Sequence, residues 1–284
     1  SNNIKTRERR SDFIHQKGSS PMKILFLTGS HPRHAMIARA LVSTGALAGL
    51  IIEQRESHIP STPANIPKNT ARLFTHHFQL RADREQAYFS DPTLPDINTL
   101  RVNKEDINGP QTHQFIRKIM PDLLLSYGVH KLTNETLACT SGENWNIHGG
   151  LSPWYKGVIT HFWPSYMLEP QMTGMTIHDL TQQLDAGAVV HQAVAPMISG
   201  DGLHDVACRA VTEIASELPR LLEVFDKGGV EKKKDKTNGK LWLAKDWRPA
   251  HLHKIYDHYN DRIVDAYLNG DFEGSAPKLH RQFY

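Results

Sequence analysis

The sequence predicts an α/β fold built on a mostly parallel sheet. Three observations carry that prediction. An apolar strand, a helix and a second apolar strand follow one another between residues 22 and 52. Further short apolar runs, each closed by glycine or a polar cluster, alternate with helical patterns up to residue 197. A long amphipathic helix then ends the main body at residue 225. Strand–helix–strand in so few residues is a βαβ unit, which requires parallel pairing through a right-handed crossover.

MKILFLTG (22–29) is the first strand, and residues 31–45 form a helix with Pro32 in its first turn and Ile37, Ala40 and Leu41 on one stripe. LAGLII (47–52) is a second buried strand, and 53–70, rich in Pro, Ser and Asn, reads as a loop. Residues 72–89 read as a helix of untidy periodicity, 98–102 as a short strand, and 111–120 as a short helix. DLLLSYG and ENWNIHGG (143–150) are the next strands, and 160–168 is helical. TGMTIHDL (173–180) and AVVHQAVAPM (188–197) can pair as an antiparallel edge. Residues 203–225 form the long helix, broken near Pro219. Composition shifts at Lys227, which divides the chain into a disordered or tag-like 1–21, a main domain 22–227 and a helix-rich appendage 228–284. Within the appendage, Leu252, Ile255, Tyr256, Tyr259, Ile263 and Tyr267 recur at helical spacing from Pro249 onward. That stripe packs either on the main domain or on a partner subunit, so a homodimer is possible.

Composition excludes more than it identifies. At 284 residues, 39% hydrophobic, 22% charged and a net charge of +3, the chain has ordinary globular make-up. No apolar run approaches the ~20 residues that span a bilayer, so no membrane association is expected. The polar, basic first twenty residues lack a signal-peptide core, and two cysteines, Cys139 and Cys208, fit a reducing cytoplasm. The basic run at 228–240 reads as a solvated loop rather than a nucleic-acid arm, because Glu231 and Asp235 interrupt it and no aromatic interleaves it. Among 17 histidines, His253 and Asp257 stand one helical turn apart, but no further ligand is in register to complete a zinc site, and no metal is expected.

In an open parallel sheet, ligands lie beyond the carboxyl ends of the strands. That singles out Thr28-Gly29-Ser30, the run from Tyr127 to His130, the run from Asn146 to Gly150, and Asp185-Ala186-Gly187. Asn146 and His148 alternate on one strand and so point to one side of the sheet. They make either a compact polar constellation beside two close-approach glycines, or a turn cap and a core histidine. Spacing alone does not place Asp185 beside them.

NIHGGLSPWYKG (146–157), followed by TGMTIHDLTQQLDAGAVVHQ (173–192), resembles the 10-formyltetrahydrofolate-dependent formyltransferases. Its Asn-x-His, its Pro- and Gly-containing loop and its Asp-x-Gly about forty residues further on agree together with the order of elements over 22–226. The resemblance implies a Rossmann-like domain with Asn146, His148 and Asp185 as the catalytic set. Asn146 and a protonated His148 would stabilise the tetrahedral oxyanion formed when a neutral amine attacks the formyl carbon, while Asp185 holds the imidazole and takes up the proton. It also implies a folate pocket at Val129, His130, Leu132, Leu151, Pro153, Thr181 and Leu184. Gly29, Ser30, Arg33 and Lys156 would contact the acceptor, with the helix start after Ser30 suited to an anion.

Two departures bear on the acceptor. Members usually carry Pro-Ser after the histidine and Leu-Leu-Pro beyond it, where this chain has Gly149-Gly150 and Leu151-Ser152-Pro153. The appendage is shorter and less basic than the barrel of methionyl-tRNA formyltransferases, yet longer than the end of glycinamide ribonucleotide enzymes. The pattern is most similar to the sugar-nucleotide N-formyltransferases, which implies a small, nucleotide-linked amine as acceptor and no nucleic-acid partner. Methionyl-tRNA or glycinamide ribonucleotide as acceptor, a 10-formyltetrahydrofolate hydrolase and a non-catalytic folate-binding protein are the alternatives.

Overall fold

The computed structural model describes residues 20–180, 187–234 and 239–284. The proposed N-terminal segment 1–21 therefore falls almost wholly outside the described residues, as do Thr181, Leu184, Asp185 and part of the charged linker.

In chain order the elements are β1 (Ile24–Thr28), α1 (Pro32–Val42), β2 (Leu47–Glu53), α2 (Lys68–Phe89), β3 (Thr99–Val102), α3 (Pro110–Ile119), β4 (Leu123–Tyr127), α4 (Asn134–Leu137) and β5 (Glu143–His148). There follow β6 (Tyr155–Gly157), α5 (Trp163–Tyr166), β7 (Gly174–Asp179), β8 (Val189–Val194), α6 (Leu203–Asp226), β9 (Lys240–Trp242) and α7 (Ile263–Leu268). Seven strands form one sheet in the order β3-β2-β1-β4-β5-β7-β8. The first five pair in parallel and β7 and β8 add antiparallel. The fully buried β1 and β4 occupy the centre, apolar but for Thr28 and Ser126 near their carboxyl ends, as strands covered on both faces require. With helices on both faces, this is a Rossmann-like, mostly parallel sheet, as the sequence predicts.

Alternation along the strands sorts the core into two layers. Trp145, Ile147, Met175 and Ile177 pack with α1 and α6 residues such as Ile37 and Ile214. Leu25, Leu27 and Leu124 pack with Ile116 and Ile119 of α3 on the other face. Asn146 and His148 must then emerge on the α3 side of β5, at its carboxyl end.

Four elements differ from expectation. The helix read over 160–168 is a single turn, α5 at Trp163–Tyr166. α6 runs unbroken through Pro219; its tight packing on β7, β8 and α1 outweighs one lost backbone bond. α2 starts at Lys68, so the loop after β2 is shorter than the Pro- and Ser-rich stretch suggests. The appendage holds no continuous helix after Pro249. It runs as a 3-10 turn at Pro249–His251, a π-helical turn at Lys254–His258, left-handed Asn260 and Asp261, then α7. Its stripe nevertheless finds a core: Leu252, Ile255 and Ile263 pack with Leu73, Phe74, Phe162 and Trp163. Beside them β9 pairs with β6, so the segment after α6 is stitched to the main body through a two-stranded ribbon.

Candidate active site

β5 ends at His148, and the next four residues are held from two sides. Thr176 Oγ1 donates to the Gly150 carbonyl at 2.7 Å and accepts from Ser152 N at 3.0 Å. Thr160 Oγ1 donates to the Gly149 carbonyl. The space beside Gly150 is filled: a Cβ there would sit 2.7 Å from Thr160 Oγ1 and 2.9 Å from His148 Nε2. Glycine at 150 is therefore required by close approach to the imidazole.

The polar side chains of the strand end form a row across three strands. Ser126 Oγ on β4 donates to Asn146 Oδ1 at 2.8 Å, and Asn146 Nδ2 lies 3.3 Å from His178 Nε2 on β7. The His148 ring centroid lies 6.2 Å from that of His178. Burial pushes the His148 imidazole down to about 4, His178 adds to the effect, and a hydrogen bond to the Tyr155 backbone opposes it. At neutral pH the ring is uncharged, whereas the sequence reading has it protonated. Its Nε2 is buried and has no hydrogen-bond partner among the described residues.

Asn146 and His148 line a cavity of about 620 Å³. Its walls come from the strand ends (Tyr127, Gly128, Val129), from α1 (Arg33, His34), from α2 (His77, Phe78, Arg81, Glu85), from the loop after β6 (His161, Phe162), from α6 (His204, Cys208) and from Trp247. Arg33 Nη1 pairs with Glu85 Oε1 at 3.1 Å, and His58 Nε2 lies 2.7 Å from Glu85 Oε2. Burial works against the Glu85 charge, but the His58 bond and Arg33 prevail and hold the carboxyl down to about 2. Arg81 has no carboxylate ion pair among the described residues, and desolvation lowers its pKa. His34 is wedged where side chains at Gly29 and Gly128 would stand, 2.7 and 2.3 Å from the Cβ each would carry. Burial lowers its pKa well below that of a free imidazole. His161 Nε2 donates to the Gly174 carbonyl at 2.9 Å, because a carbonyl can only accept, and burial draws the imidazole pKa to about 4, so the ring is neutral with its proton on Nε2.

Of the sequence-derived candidates, the structure gathers Asn146, His148, Val129 and Arg33 around this cavity. Gly29, Ser30 and Lys156 lie outside its lining, Lys156 in β6 beside lining Gly157. His130 borders a separate cleft of about 280 Å³ with Arg55 and Lys104, and bonds Glu53 at 2.7 Å. Leu132 and Leu151 are buried in the interior, the first in the core under α3 and the second against Gly174. Pro153 follows a cis peptide in the loop pinned by Gln192 Nε2 on the Ser152 carbonyl. Asp185, Thr181 and Leu184 lie outside the described residues. Sequence reasoning passed over His34, Arg81, Glu85, His161 and Trp247. His77, Arg81 and Glu85 follow at i, i+4 and i+8 on α2, a polar stripe on an inward face, and that spacing was their available signal.

No helix among the described residues is long and apolar enough to cross a membrane. In shape the chain is similar to a sugar N-formyltransferase from Shewanella sp FDAARGOS_354 (TM-score 0.51, 17% identity, covering 79% of this chain and 78% of that one). It is equally similar to phosphoribosylglycinamide formyltransferase from Anaplasma phagocytophilum (TM-score 0.51, 19% identity, 79% and 98% covered). A third similar structure is WlaRD, a sugar 3N-formyl transferase solved in the presence of dTDP and 5-N-formyl-THF (TM-score 0.50, 16% identity, 81% and 72% covered). The model of the family described as formyl transferase matches residues 44–222, which hold the strand carrying Asn146 and His148 and most of the cavity wall. On that match the chain belongs to the formyl transferase family and is an enzyme of formyl transfer.

Proposed function

We propose that this protein transfers the formyl group of 10-formyltetrahydrofolate to a primary amine of a nucleotide-linked amino sugar. The observation that carries the reading is the Asn146–His148 pair, an oriented amide beside a neutral imidazole whose Nε2 is unbonded among the described residues, opening on a cavity that also holds Arg33 and Arg81. The neutral amine attacks the formyl carbon and a tetrahedral oxyanion forms. Asn146 Nδ2 donates to that oxygen; one well-placed donor of this kind contributes about 3–4 kcal/mol. His148 takes the proton that the amine sheds, and Asp185 is assigned to hold the ring through that charged moment. Collapse expels N10 of the folate, which recovers the proton, leaving an N-formyl amine and tetrahydrofolate.

The assignment of sides follows the two layers. Val129 and Leu180 adjoin the α3 layer, where the family resemblance seats the pterin. Two of the cavity's arginines, Arg33 of α1 and Arg81 of α2, suit the phosphates of the acceptor. Support for folate and for a nucleotide sugar comes also from WlaRD, whose structure was obtained with dTDP and 5-N-formyl-THF.

The test is to incubate the protein with 10-formyltetrahydrofolate and a panel of nucleotide-linked amino sugars, following tetrahydrofolate release and acceptor mass. Release that depends on one acceptor, adds one formyl group and disappears in His148→Ala is the expected result. Release without acceptor makes the enzyme a hydrolase; absence of donor binding overturns the reading.

A further inference from the structure

Glu53 closes β2 with a wholly buried carboxylate that the transfer chemistry leaves unused. Its partners lie across the carboxyl ends of the sheet. Oε1 accepts from His130 Nδ1 at 2.7 Å and from Arg55 Nη1 at 2.9 Å, and Oε2 accepts from His130 N at 3.2 Å. One side chain of β2 therefore grips both the ring and the backbone of the turn that follows β4. Arg55 is confined as well: its Cγ stands 2.6 Å from the Cβ that Gly29 lacks, so the loop after β1 makes room for it only as glycine.

Burying an acid is costly, and a buried ion pair stabilises little more than apolar side chains of the same volume. What it supplies is a fixed geometry. The turn it fixes is a ridge between two hollows, with Val129 on the larger cavity and His130 on the smaller cleft. Glu53 itself lines neither. The backbone groups flanking Val129 are spent on the scaffold. The Tyr127 carbonyl accepts from Thr28 Oγ1 at 2.8 Å, His130 N goes to Glu53, and the Lys131 carbonyl accepts from Asn108 Nδ2 at 3.0 Å. Between them, the N–H and carbonyl of half-buried Val129 have no hydrogen-bond partner among the described residues. Backbone groups in such a place need a partner, and a flat ring with a donor and an acceptor on one edge supplies both.

We infer that Glu53 is a positioning residue of the donor site: it holds the His130 turn so that Val129 presents its N–H and carbonyl to the ring of the formyl donor. The inference rests on the folate donor proposed above, and adds to it a residue that touches neither substrate.

Calorimetric titration of the full chain with 5-formyltetrahydrofolate, together with steady-state kinetics and thermal melts, tests it. Glu53→Leu keeps the volume and leaves Arg55 and His130, both partly exposed, to water. It is expected to melt close to the unaltered protein and to bind 5-formyltetrahydrofolate about tenfold more weakly. KM for 10-formyltetrahydrofolate should rise about as much, with kcat and the acceptor KM within about twofold. Glu53→Gln, whose amide oxygen can still accept from the turn, is expected to restore most of the affinity. Unchanged donor affinity in Glu53→Leu, or equal losses for donor and acceptor, overturns the inference while leaving the donor class intact. Should Glu53→Leu not fold, His130→Ala removes a half-exposed ring from the same grip and is expected to weaken the donor at least about threefold; no loss there overturns the inference equally. If the unaltered protein binds neither 5- nor 10-formyltetrahydrofolate, the folate donor itself is wrong and the role of Glu53 falls with it.

Discussion

Ser126 Oγ, on the central strand β4, donates to Asn146 Oδ1 on β5 at 2.8 Å. That bond decides which end of the amide is spent on the scaffold and which is free for chemistry. With Oδ1 occupied, Nδ2 is the end directed toward His178 and the strand terminus, 3.3 Å from His178 Nε2. Ser126→Ala is expected to lower kcat about tenfold, the net worth of one buried hydrogen bond, with little change in KM for the donor. Asn146→Ala removes the donor itself and should cost 10²- to 10³-fold. Steady-state kinetics on both variants checks this; equal kcat for Ser126→Ala and the unaltered enzyme would show that the amide orients itself.

Gly150→Ala places a methyl group 2.9 Å from His148 Nε2 and 2.7 Å from Thr160 Oγ1. Thr160 is tied to the Gly149 carbonyl and has little freedom to retreat. The imidazole is the group expected to shift, so kcat falls at least tenfold, since displacements of this size at a reacting group are costly. Melting temperature and kcat measured together separate this from general unfolding: a variant that melts lower but turns over normally contradicts it.

Five buried histidines make the fold acid-sensitive. Burial is the largest cause in each case, holding His34 and His77 well below 6.5, His148 and His161 at about 4, and His204 at about 3. The unfolded chain takes up these protons near 6.5, while the folded chain resists until well below that, about 4 for His148 and His161. Stability is thus complete above pH 6.5 and is lost as pH falls from 6.5 toward 4, at up to about 1 kcal/mol per histidine per pH unit. Asp261, which burial raises to about 6, acts in the opposite sense below that pH but is a single group. Urea midpoints at pH 7.5, 6 and 5 should fall steadily, and a flat profile would mean that the rings protonate in place.

Glu217 on α6 bonds His191 Nε2 of β8 on one oxygen and Arg281 on the other. Burial disfavours its charge, but the two bonds prevail and lower its pKa. Glu217→Ala leaves a buried imidazole and a guanidinium without their acceptor. A loss of about 2–3 kcal/mol is expected, somewhat below that of a wholly buried pair because Glu217 is partly exposed. Thermal melts of Glu217→Ala and Glu217→Gln measure it, the glutamine variant being the milder.

The central strands were legible because β1 and β4 carry apolar residues on both faces and could belong nowhere else. Asn146 and His148 were legible because alternation along a strand fixes their side. α2 was harder for a physical reason. Its inward face carries His77, Arg81 and Glu85 where a core helix would carry aliphatics, so the property that spoils its periodicity is the one that makes it part of the site. β9 was legible as the short strand that opens the tail, whereas β6 left almost no trace, being three residues long and paired only with a strand far along the chain. The run through Pro219 follows from packing that no local propensity can foresee.

The strip at residues 280–283 lies along β8. Gln192 N donates to the His280 carbonyl at 2.9 Å, Arg281 Nη1 to the Gln192 carbonyl at 2.8 Å, and Gln282 N to His191 Nδ1 at 3.1 Å. A sheet margin whose partner lies so far along the chain stays bare while the ribosome is still working. During synthesis the earlier sheet can assemble, but its last strand waits for residues that have yet to emerge. An open strand edge invites pairing with neighbouring chains. Translation arrest between α7 and this strip should therefore yield a nascent product that clumps or recruits chaperones, whereas extending the chain past it should not.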